Sequence, residues 1–245
     1  MRGDETVNTI GYIVYKDIRT YYCKPPILGW GLLFPATFIL AITLKHPGNP
    51  LTFLPGLIGM VALFGATTME VIVIAFEKRL NSFERLLLAP ISISSLVIAK
   101  ILSGVLFSLT VSLIALLGMI FFLKLPVNCI VTLIFALFFS SLCFSSLGAF
   151  IALMVKEVYE AQIIINFLRF PMLFLCGVFF PISSLPRFLQ PLSYLLPLTY
   201  AVDLLKISTT NMNFMFNVTI DLVVLIFFTI VLILGSIHSS IKGIK

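Results

Sequence analysis

Few residues of this sequence have the types and spacing that catalysis or metal binding requires. The four cysteines form no CxxC pair, and none has a histidine close to it in the sequence. The chain contains no GxxxxGK[ST] loop that could hold a nucleotide phosphate, and it lacks the HExxH and GxSxG patterns of metalloproteases and serine hydrolases. We therefore predict no catalytic residue, no metal site and no cofactor bound by this chain.

Few ionisable residues stand within the long apolar stretches: Glu70, Arg169 and, near the start of the last stretch, Asp221. A charge at the centre of a membrane-spanning helix costs about 2.5–3.5 kcal/mol, so each side chain should find a partner. At a rise of about 1.5 Å per residue, Glu70 lies about 9 Å and Arg169 about 12 Å from the same predicted membrane face. These depths predict an intramembrane ion pair. Extension of Arg169 to the lipid headgroups and a protonated Glu70 stay open as alternatives.

The composition explains why charges are so few. Of the 245 residues, 60% are hydrophobic and 11% are charged, whereas soluble domains average about 45–50% apolar and about 25% charged residues. A soluble fold of this size could not hide so much apolar surface, and a disordered chain is more polar. We predict an all-α integral membrane protein of the cell membrane with six spans, over residues 28–44, 53–76, 101–123, 130–155, 161–180 and 218–237.

The basic residues predict the orientation of the spans. With six spans, eleven of the sixteen Lys and Arg residues fall on one side of the membrane and four on the other, with Arg169 inside a span. Because cytoplasmic loops are enriched in Lys and Arg, we place both termini in the cytoplasm. The net charge of +6 is then a topology signal, and we expect no nucleic-acid partner.

Residues 1–27 form a separate region before the membrane domain, 28–245. Apolar residues recur there at helical spacing from position 10 to position 21, with polar residues such as Lys16 and Asp17 between them. This pattern predicts an amphipathic helix in the membrane interface, ended by the Pro-Pro pair that follows. A solvated tail is the alternative.

Two connections are too long for simple turns, a cytoplasmic one over 77–100 and an external one over 181–216. The external connection is too apolar to lie in water, and its four prolines between positions 181 and 197 cannot lie in one straight helix. We predict that it forms short helices that re-enter the outer leaflet, where protein or water satisfies the backbone.

The fourth span has a face of small residues. Ser141, Ser145 and Ala149 repeat at every fourth position, with Gly148 and Ala152 beside them. Small residues let helix backbones approach closely in lipid, so we expect this face to pack within the subunit.

Two passages carry a resemblance to one family. The first is SFERLLLAPISISSLVIAK, residues 82–100, and the second is FFPISSLPRFLQPLSYLLPLTYAVDLLK, residues 179–206. With the six apolar stretches and the N-terminal amphipathic helix, they are similar to the membrane subunits of ABC-2 type ATP-binding-cassette exporters of the daunorubicin-resistance-like kind. The second passage is the more specific, through Pro181, Pro186, Pro191, Pro197, Tyr200, Asp203 and Lys206.

The resemblance implies a permease subunit that moves an amphiphilic drug, a lipid or a lipid-linked glycan across the cell membrane. Two such chains would pair as a homodimer, driven by a separate cytosolic ABC ATPase that binds ATP-Mg. A short helix in the first passage would dock on that ATPase, through Ser82, Phe83, Glu84, Arg85, Leu86, Leu87, Leu88 and Pro90. The alternative for this segment is a plain surface loop. The alternatives for the chain are an ion-coupled secondary transporter and a non-transporting membrane anchor.

Overall fold

A computed structural model of the protein describes residues 2–22, 24–45, 53–80, 82, 92–155, 157–209 and 215–243. Within these ranges the regular structure is helical, which confirms the predicted all-α class. The elements are α1 (Arg2–Tyr21), α2 (Pro25–Leu28), a π-helical turn (Gly29–Leu33), α3 (Phe34–Lys45), α4 (Leu54–Arg79), α5 (Ile93–Leu123), α6 (Ile130–Met154), α7 (Val158–Leu175), a 3₁₀ turn (Ile182–Ser184), α8 (Gln190–Tyr194), α9 (Pro197–Thr209) and α10 (Val218–Gly243).

Four of the described helices are long and apolar enough to cross a membrane: α4, α5, α6 and the Val218–Ile241 part of α10. Helix α5 begins well before the predicted position 101, because Ser92 caps it by accepting a hydrogen bond from Ser95 N at 3.1 Å. The other two predicted spans fall on interrupted helices. Stretch 28–44 contains the π-helical turn, and α7 contains Pro171. The count of six spans therefore stays a prediction.

Helix α4 is the centre of the bundle. Its most apolar window is 100% buried, whereas the corresponding window of α10 is only 22% buried. Helices α5, α6, α7 and α9 surround α4. Glycines allow this close packing: a Cβ at Gly56 would lie 2.6 Å from Val178 O, and one at Gly59 would lie 3.0 Å from a methyl group of Val202.

The two ends of the bundle are distinct. At one end, which we call the α1 end, Ile13 of α1 packs in one cluster with Ile74 of α4, Leu96 of α5 and Leu153 of α6. Ile237, near the end of α10, packs against the same cluster. Helix α1 and the last turns of α10 therefore lie at the same end. Ser208 of α9 accepts hydrogen bonds from the backbone N–H groups of Asn128 and Cys129, just before the start of α6, so α9 lies at the opposite end, which we call the α9 end.

The proline-rich segment forms short helices, as predicted. Pro181 precedes the 3₁₀ turn, Pro191 lies in the first turn of α8, and Pro197 begins α9. Proline fits the first turn of a helix because the N–H that it lacks has no partner there. Helix α9 is almost fully buried and packs against α4, α6 and α10. Its position relative to the bilayer stays a prediction.

Candidate functional site

A cluster of four charged residues joins α1 to α4 and α5 at the α1 end. Asp17 lies on α1, Glu77 near the end of α4 and Lys100 near the start of α5, and each is at most 1% exposed. Lys16 completes the cluster from the surface, with 40% of its side chain exposed. Two cations and two carboxylates thus face one another where water is largely excluded.

Lys100 stands at the centre of this ion cluster. Its Nζ donates to both carboxylate oxygens of Asp17, at 3.0 Å and 2.9 Å, and lies 2.6 Å from Glu77 Oε2. Lys16 Nζ donates to Glu77 Oε1 at 2.5 Å and lies 3.0 Å from Asp17 Oδ1. The Ser103 hydroxyl adds a hydrogen bond to Asp17 Oδ2 at 3.2 Å. Each cation therefore contacts both carboxylates, and the charges of the four residues cancel.

The two carboxylates of the cluster stabilise the charged form of Lys16. Burial alone would lower the pKa of Lys16, but the attraction of Glu77 and Asp17 outweighs burial and raises that pKa above the ordinary lysine value. Lys16 is therefore charged across the physiological pH range. Removing one member of such a group leaves an uncompensated buried charge, which typically costs about 3–5 kcal/mol.

The sequence pattern did not reveal this cluster, and it placed Asp17 among the polar residues that interrupt the apolar positions of an interfacial helix. That placement is wrong, because Asp17 is fully buried. A signal was present: Ile10, Ile13 and Asp17 share one face at spacings of three and four, so the carboxylate stands in the apolar stripe. A buried acid in that position needs a cation, and Lys100 supplies it.

The segment predicted to contact the ATPase lies between two members of the cluster. Ser82 belongs to the described residues, whereas Phe83, Glu84, Arg85, Leu86, Leu87, Leu88 and Pro90 lie outside them. Helix α4 ends at Arg79 and α5 begins at Ile93. Glu77 and Lys100 are therefore on the two helices that this segment connects, and Asp17 links both helices to α1.

Glu70 and Arg169 do not form the predicted ion pair. None of the salt bridges between described residues joins these two side chains. Glu70 points towards α5 and α6, where its Oε1 accepts hydrogen bonds from Gly104 N at 3.0 Å and Ser145 Oγ at 3.1 Å. Its Oε2 is buried without a hydrogen-bond partner. Depth alone could not show that Glu70 points away from α7, the helix that carries Arg169.

Arg169 is buried among neutral groups between α7 and α4. It donates to Thr67 Oγ1 at 2.8 Å, Thr68 Oγ1 at 2.9 Å and Asn166 Oδ1 at 3.2 Å. Its guanidinium carbon lies 4.7 Å from the centre of the Phe64 ring, a cation–π contact. Thr67 and Thr68 are within one helical turn of Glu70 on α4. Arg169 and Glu70 therefore lie at similar depths, as predicted, although the predicted ion pair was wrong.

The small-residue face of α6 packs within the chain, as predicted. Ser141, Ser145 and Ala149 are fully buried. A Cβ at Gly148 would lie 2.9 Å from the Cβ of Glu70 and 2.9 Å from the Cα of Thr67. Glycine is therefore required where α6 crosses α4.

Lys78 fastens the end of α4 to the end of α6. Its Nζ donates to the carbonyl oxygens of Ala152 at 2.8 Å, Leu153 at 3.1 Å and Val155 at 2.8 Å. The last carbonyls of a helix have no partner within that helix, and a cation there also complements the helix dipole. With the ion cluster, this contact makes the α1 end the more highly charged end of the bundle.

The predicted motif residues at the α9 end make structural hydrogen bonds. Tyr200 donates to a backbone carbonyl of α8 at 2.7 Å, and Lys206 Nζ donates to Gly177 O at 2.9 Å. The Asp203 carboxylate accepts backbone N–H bonds from residues 215–216, and burial raises the pKa of Asp203 against the effect of those bonds. These residues fix α9 to the chain before and after it.

The sequence of this chain is similar to those of known membrane transport proteins. The profile of the ABC-2 type transporter family matches residues 9–210. A transport permease of Cyanophora paradoxa, ycf38, is 27% identical over 198 residues, which cover 78% of this chain and 68% of that protein. The inner membrane transport permease YadH of Escherichia coli (strain K12) is 26% identical over 159 residues, which cover 65% of this chain and 62% of YadH. The aligned region therefore spans less than two thirds of YadH.

The profile covers both passages that carried the resemblance, 82–100 and 179–206. Four long apolar helices and a relative named as an inner membrane permease agree with a membrane location. A permease of this family works with an ABC ATPase subunit. The chain belongs to the ABC-2 type transporter family and is a multi-pass membrane protein.

Proposed function

We propose that this chain is the permease subunit of an ATP-driven exporter, with six spans and both termini in the cytoplasm. Residues 1–27 are its interfacial helix and residues 28–245 its membrane domain. Two copies form a homodimer, and ATP-Mg is bound and hydrolysed by a separate ABC ATPase. The apolar composition favours an amphiphilic cargo over a small ion, and the candidates are a daunorubicin-like drug, a lipid or a lipid-linked glycan.

The ion cluster is the observation that carries this proposal. It binds α1 to the two helices that flank the segment 82–90, through Glu77 on one side and Lys100 on the other. A displacement of that segment would move the end of α4 and the start of α5 directly, because the segment connects these two helices. Because Lys100 donates hydrogen bonds to Asp17, α1 would move together with these two helix ends.

The position of α4 gives this motion a path into the membrane domain. Helix α4 contacts α5, α6, α7 and α9, so displacement of its end acts on every helix packed around it. Lys78 holds the end of α6 to α4 by three hydrogen bonds. The bundle is thus suited to pass a movement at the α1 end towards the α9 end.

The location of the termini supports an even number of spans. Ile13 of α1 and Ile237 of α10 belong to the same packing cluster, so both ends of the chain lie at one face of the bundle. Lys16, Lys78 and Lys100 are at that face too, in agreement with the enrichment of basic residues on the cytoplasmic side.

Docking of the ATPase tests the proposal. The chain is expressed with an ABC ATPase encoded near its gene and purified through a tag on the chain. The double variant Glu84→Lys/Leu87→Asp should lose most of the co-purifying ATPase while inserting and melting like wild type. Arg187→Glu, a charge reversal at an exposed position at the α9 end, is the matched control and should retain the ATPase. Equal recovery with all three chains contradicts docking through this segment.

A further inference from the structure

An apolar pocket of about 360 Å³ opens between α3 and α5, close to the α9 end. All eleven of its lining residues are apolar. Val61 of α4 forms the floor, with 1% of its surface exposed, while Leu40, Ile114 and Phe122 are exposed at the rim. Its volume falls in the range of about 300–1,000 Å³ that is usual for small-ligand sites.

Small residues keep this pocket open. Ala36 of α3 and Ala115 and Gly118 of α5 are among its lining residues. A Cβ at Gly118 would have no neighbouring atom within 4 Å, whereas one at Gly104 on the same helix would overlap with the Glu70 carboxylate. Close helix packing therefore does not explain Gly118, although a glycine inside a helix costs about 1 kcal/mol relative to alanine. The missing side chain at 118 leaves the space empty.

The surroundings of the pocket indicate its occupant. Its rim lies on apolar helix surfaces, and α5 is long and apolar enough to span the bilayer, so the pocket opens towards hydrocarbon. No polar side chain lines it, so an occupant needs no hydrogen bonds there. Lys124 directly follows the lining residue Leu123 and ends α5 in a left-handed conformation, with φ of 52°. Its side chain is exposed, so an exposed cation lies one residue beyond the wall of the pocket.

We propose that this pocket binds one acyl chain of an anionic membrane phospholipid, whose phosphate lies near Lys124. The apolar lining fits the hydrocarbon chain, and the lysine complements the charge of the headgroup. Bound in this way, the lipid fills a gap that α3 and α5 leave beside the central helix α4. This site does not depend on which cargo the protein transports.

Photolabelling in vesicles tests the site directly. The full chain is reconstituted in phosphatidylethanolamine vesicles with a minor fraction of phosphatidylglycerol that carries a diazirine on one acyl chain. After irradiation, adducts are mapped by mass spectrometry. We expect several-fold more adducts on residues 114–123 than on Phe227 and Val231, which are exposed on the candidate membrane span α10. The excess should vanish in Gly118→Phe and persist in Gly118→Ala.

Two further arms keep the test decisive. Ala36→Phe fills the pocket from the α3 wall and should abolish the excess labelling, as Gly118→Phe does. Thermal melting shows whether either variant has a folding defect, and the variant that folds normally then tests the site. Lys124→Gln should reduce labelling by phosphatidylglycerol towards the level obtained with a diazirine phosphatidylcholine. Equal labelling of α5 and α10 in wild type, or full labelling of both filled variants, overturns the site. A third outcome also overturns the proposed lipid site: residues 114–123 are protected from labelling in wild type, and Gly118→Cys chains form a disulfide with each other. That result would show that a second copy of the chain covers the pocket.

Discussion

Asp17 of α1 and Lys100 of α5 form a buried bidentate ion pair across 83 residues of sequence. The pair does not stand alone, because Glu77 contacts the same lysine and Lys16 contacts both acids. The N-terminal helix is thus held to the membrane domain by charges at its centre as well as by its apolar residues. This link is what allows α1 and the ATPase-facing segment to move together in our proposal.

The Asp17–Lys100 pair should show strong energetic coupling. Asp17→Asn leaves Lys100 short of one acid, and Lys100→Gln leaves two buried carboxylates facing Lys16 alone, so each single change should cost about 3–5 kcal/mol. The double variant restores neutrality and should cost clearly less than the sum. Thermal melting of the four purified proteins measures the cycle, and strict additivity would show that the pair contributes no coupling.

Glu70 and Arg169 should behave independently. Their partners are different groups: Gly104 and Ser145 for the glutamate, and threonine hydroxyls for the arginine. We expect the stability losses of Glu70→Gln and Arg169→Gln to add within about 0.5 kcal/mol in the double variant. A double variant more stable than either single variant would instead support a direct ion pair.

Lys78 should matter far more than its neighbour Arg79. Lys78→Gln removes the charged donor from three carbonyl oxygens at the end of α6, and hydrogen bonds to charged groups contribute about 1.5–3 kcal/mol. We expect a lower melting temperature and faster amide exchange over residues 150–155. Arg79→Gln changes an exposed residue and serves as the matched control. Similar exchange in the two variants would show that Lys78 does not stabilise the end of α6.

Gly56→Ala should weaken the contact between α4 and the chain before α9. The added Cβ would lie 2.6 Å from Val178 O and 2.8 Å from Val178 Cα, both backbone atoms that cannot rotate away. Overpacking of this kind costs about 1–3 kcal/mol. Gly11→Ala, where a Cβ has open space, is the control and should melt at or above the wild-type temperature. Equal melting of the two variants would mean that α4 does not pack this tightly.

Cys129 should report the orientation of the bundle. Its thiol is exposed at the α9 end, and a hydrogen bond from the Thr132 hydroxyl lowers the pKa of the thiol. A lower pKa gives more thiolate at neutral pH, so Thr132→Val should slow maleimide labelling of Cys129 near pH 7 and shift the pH profile of the labelling rate to higher pH.

Labelling from outside the cell tests the orientation of the bundle. In intact cells an impermeant maleimide should label Cys129 from outside. In a chain without native cysteines, it should label Asn49→Cys but not Gly243→Cys, and external labelling at 243 would contradict cytoplasmic termini.

Hydropathy predicted helices α4, α6 and α10 well because each is one long uninterrupted apolar run. Hydropathy could not predict which of these helices is buried. Helices α4 and α10 are both long and apolar, yet α4 is central and α10 faces outward. Burial depends on which helices meet, and a glycine such as Gly148 acquires meaning only when its neighbour on α4 is known. The start of α5 was missed because the apolar run from Ile93 was assigned to the preceding loop.

The ion cluster escaped sequence analysis for a related reason. Glu77 and Lys100 stand just outside the predicted spans, in the predicted cytoplasmic connection, and Lys100 was counted only as one of the basic residues that set topology. Asp17 was taken as a polar residue of an interfacial helix. Only the packing of α1 against α5 shows that the three charges share one buried site. The residues of 82–100 and 179–206 identified the family because their order and spacing carry information that hydropathy does not.

ATP hydrolysis in proteoliposomes tests the central claim most directly. The partner ABC ATPase is assayed with the wild-type chain, with Glu84→Lys/Leu87→Asp, with Asp17→Asn, and without the chain. Our account predicts that the wild-type chain changes the hydrolysis rate several-fold. It also predicts that the docking variant leaves the rate at that of the free ATPase, and that Asp17→Asn retains the ATPase but loses the change in rate. A hydrolysis rate that is the same with and without the wild-type chain would contradict an ATP-driven permease.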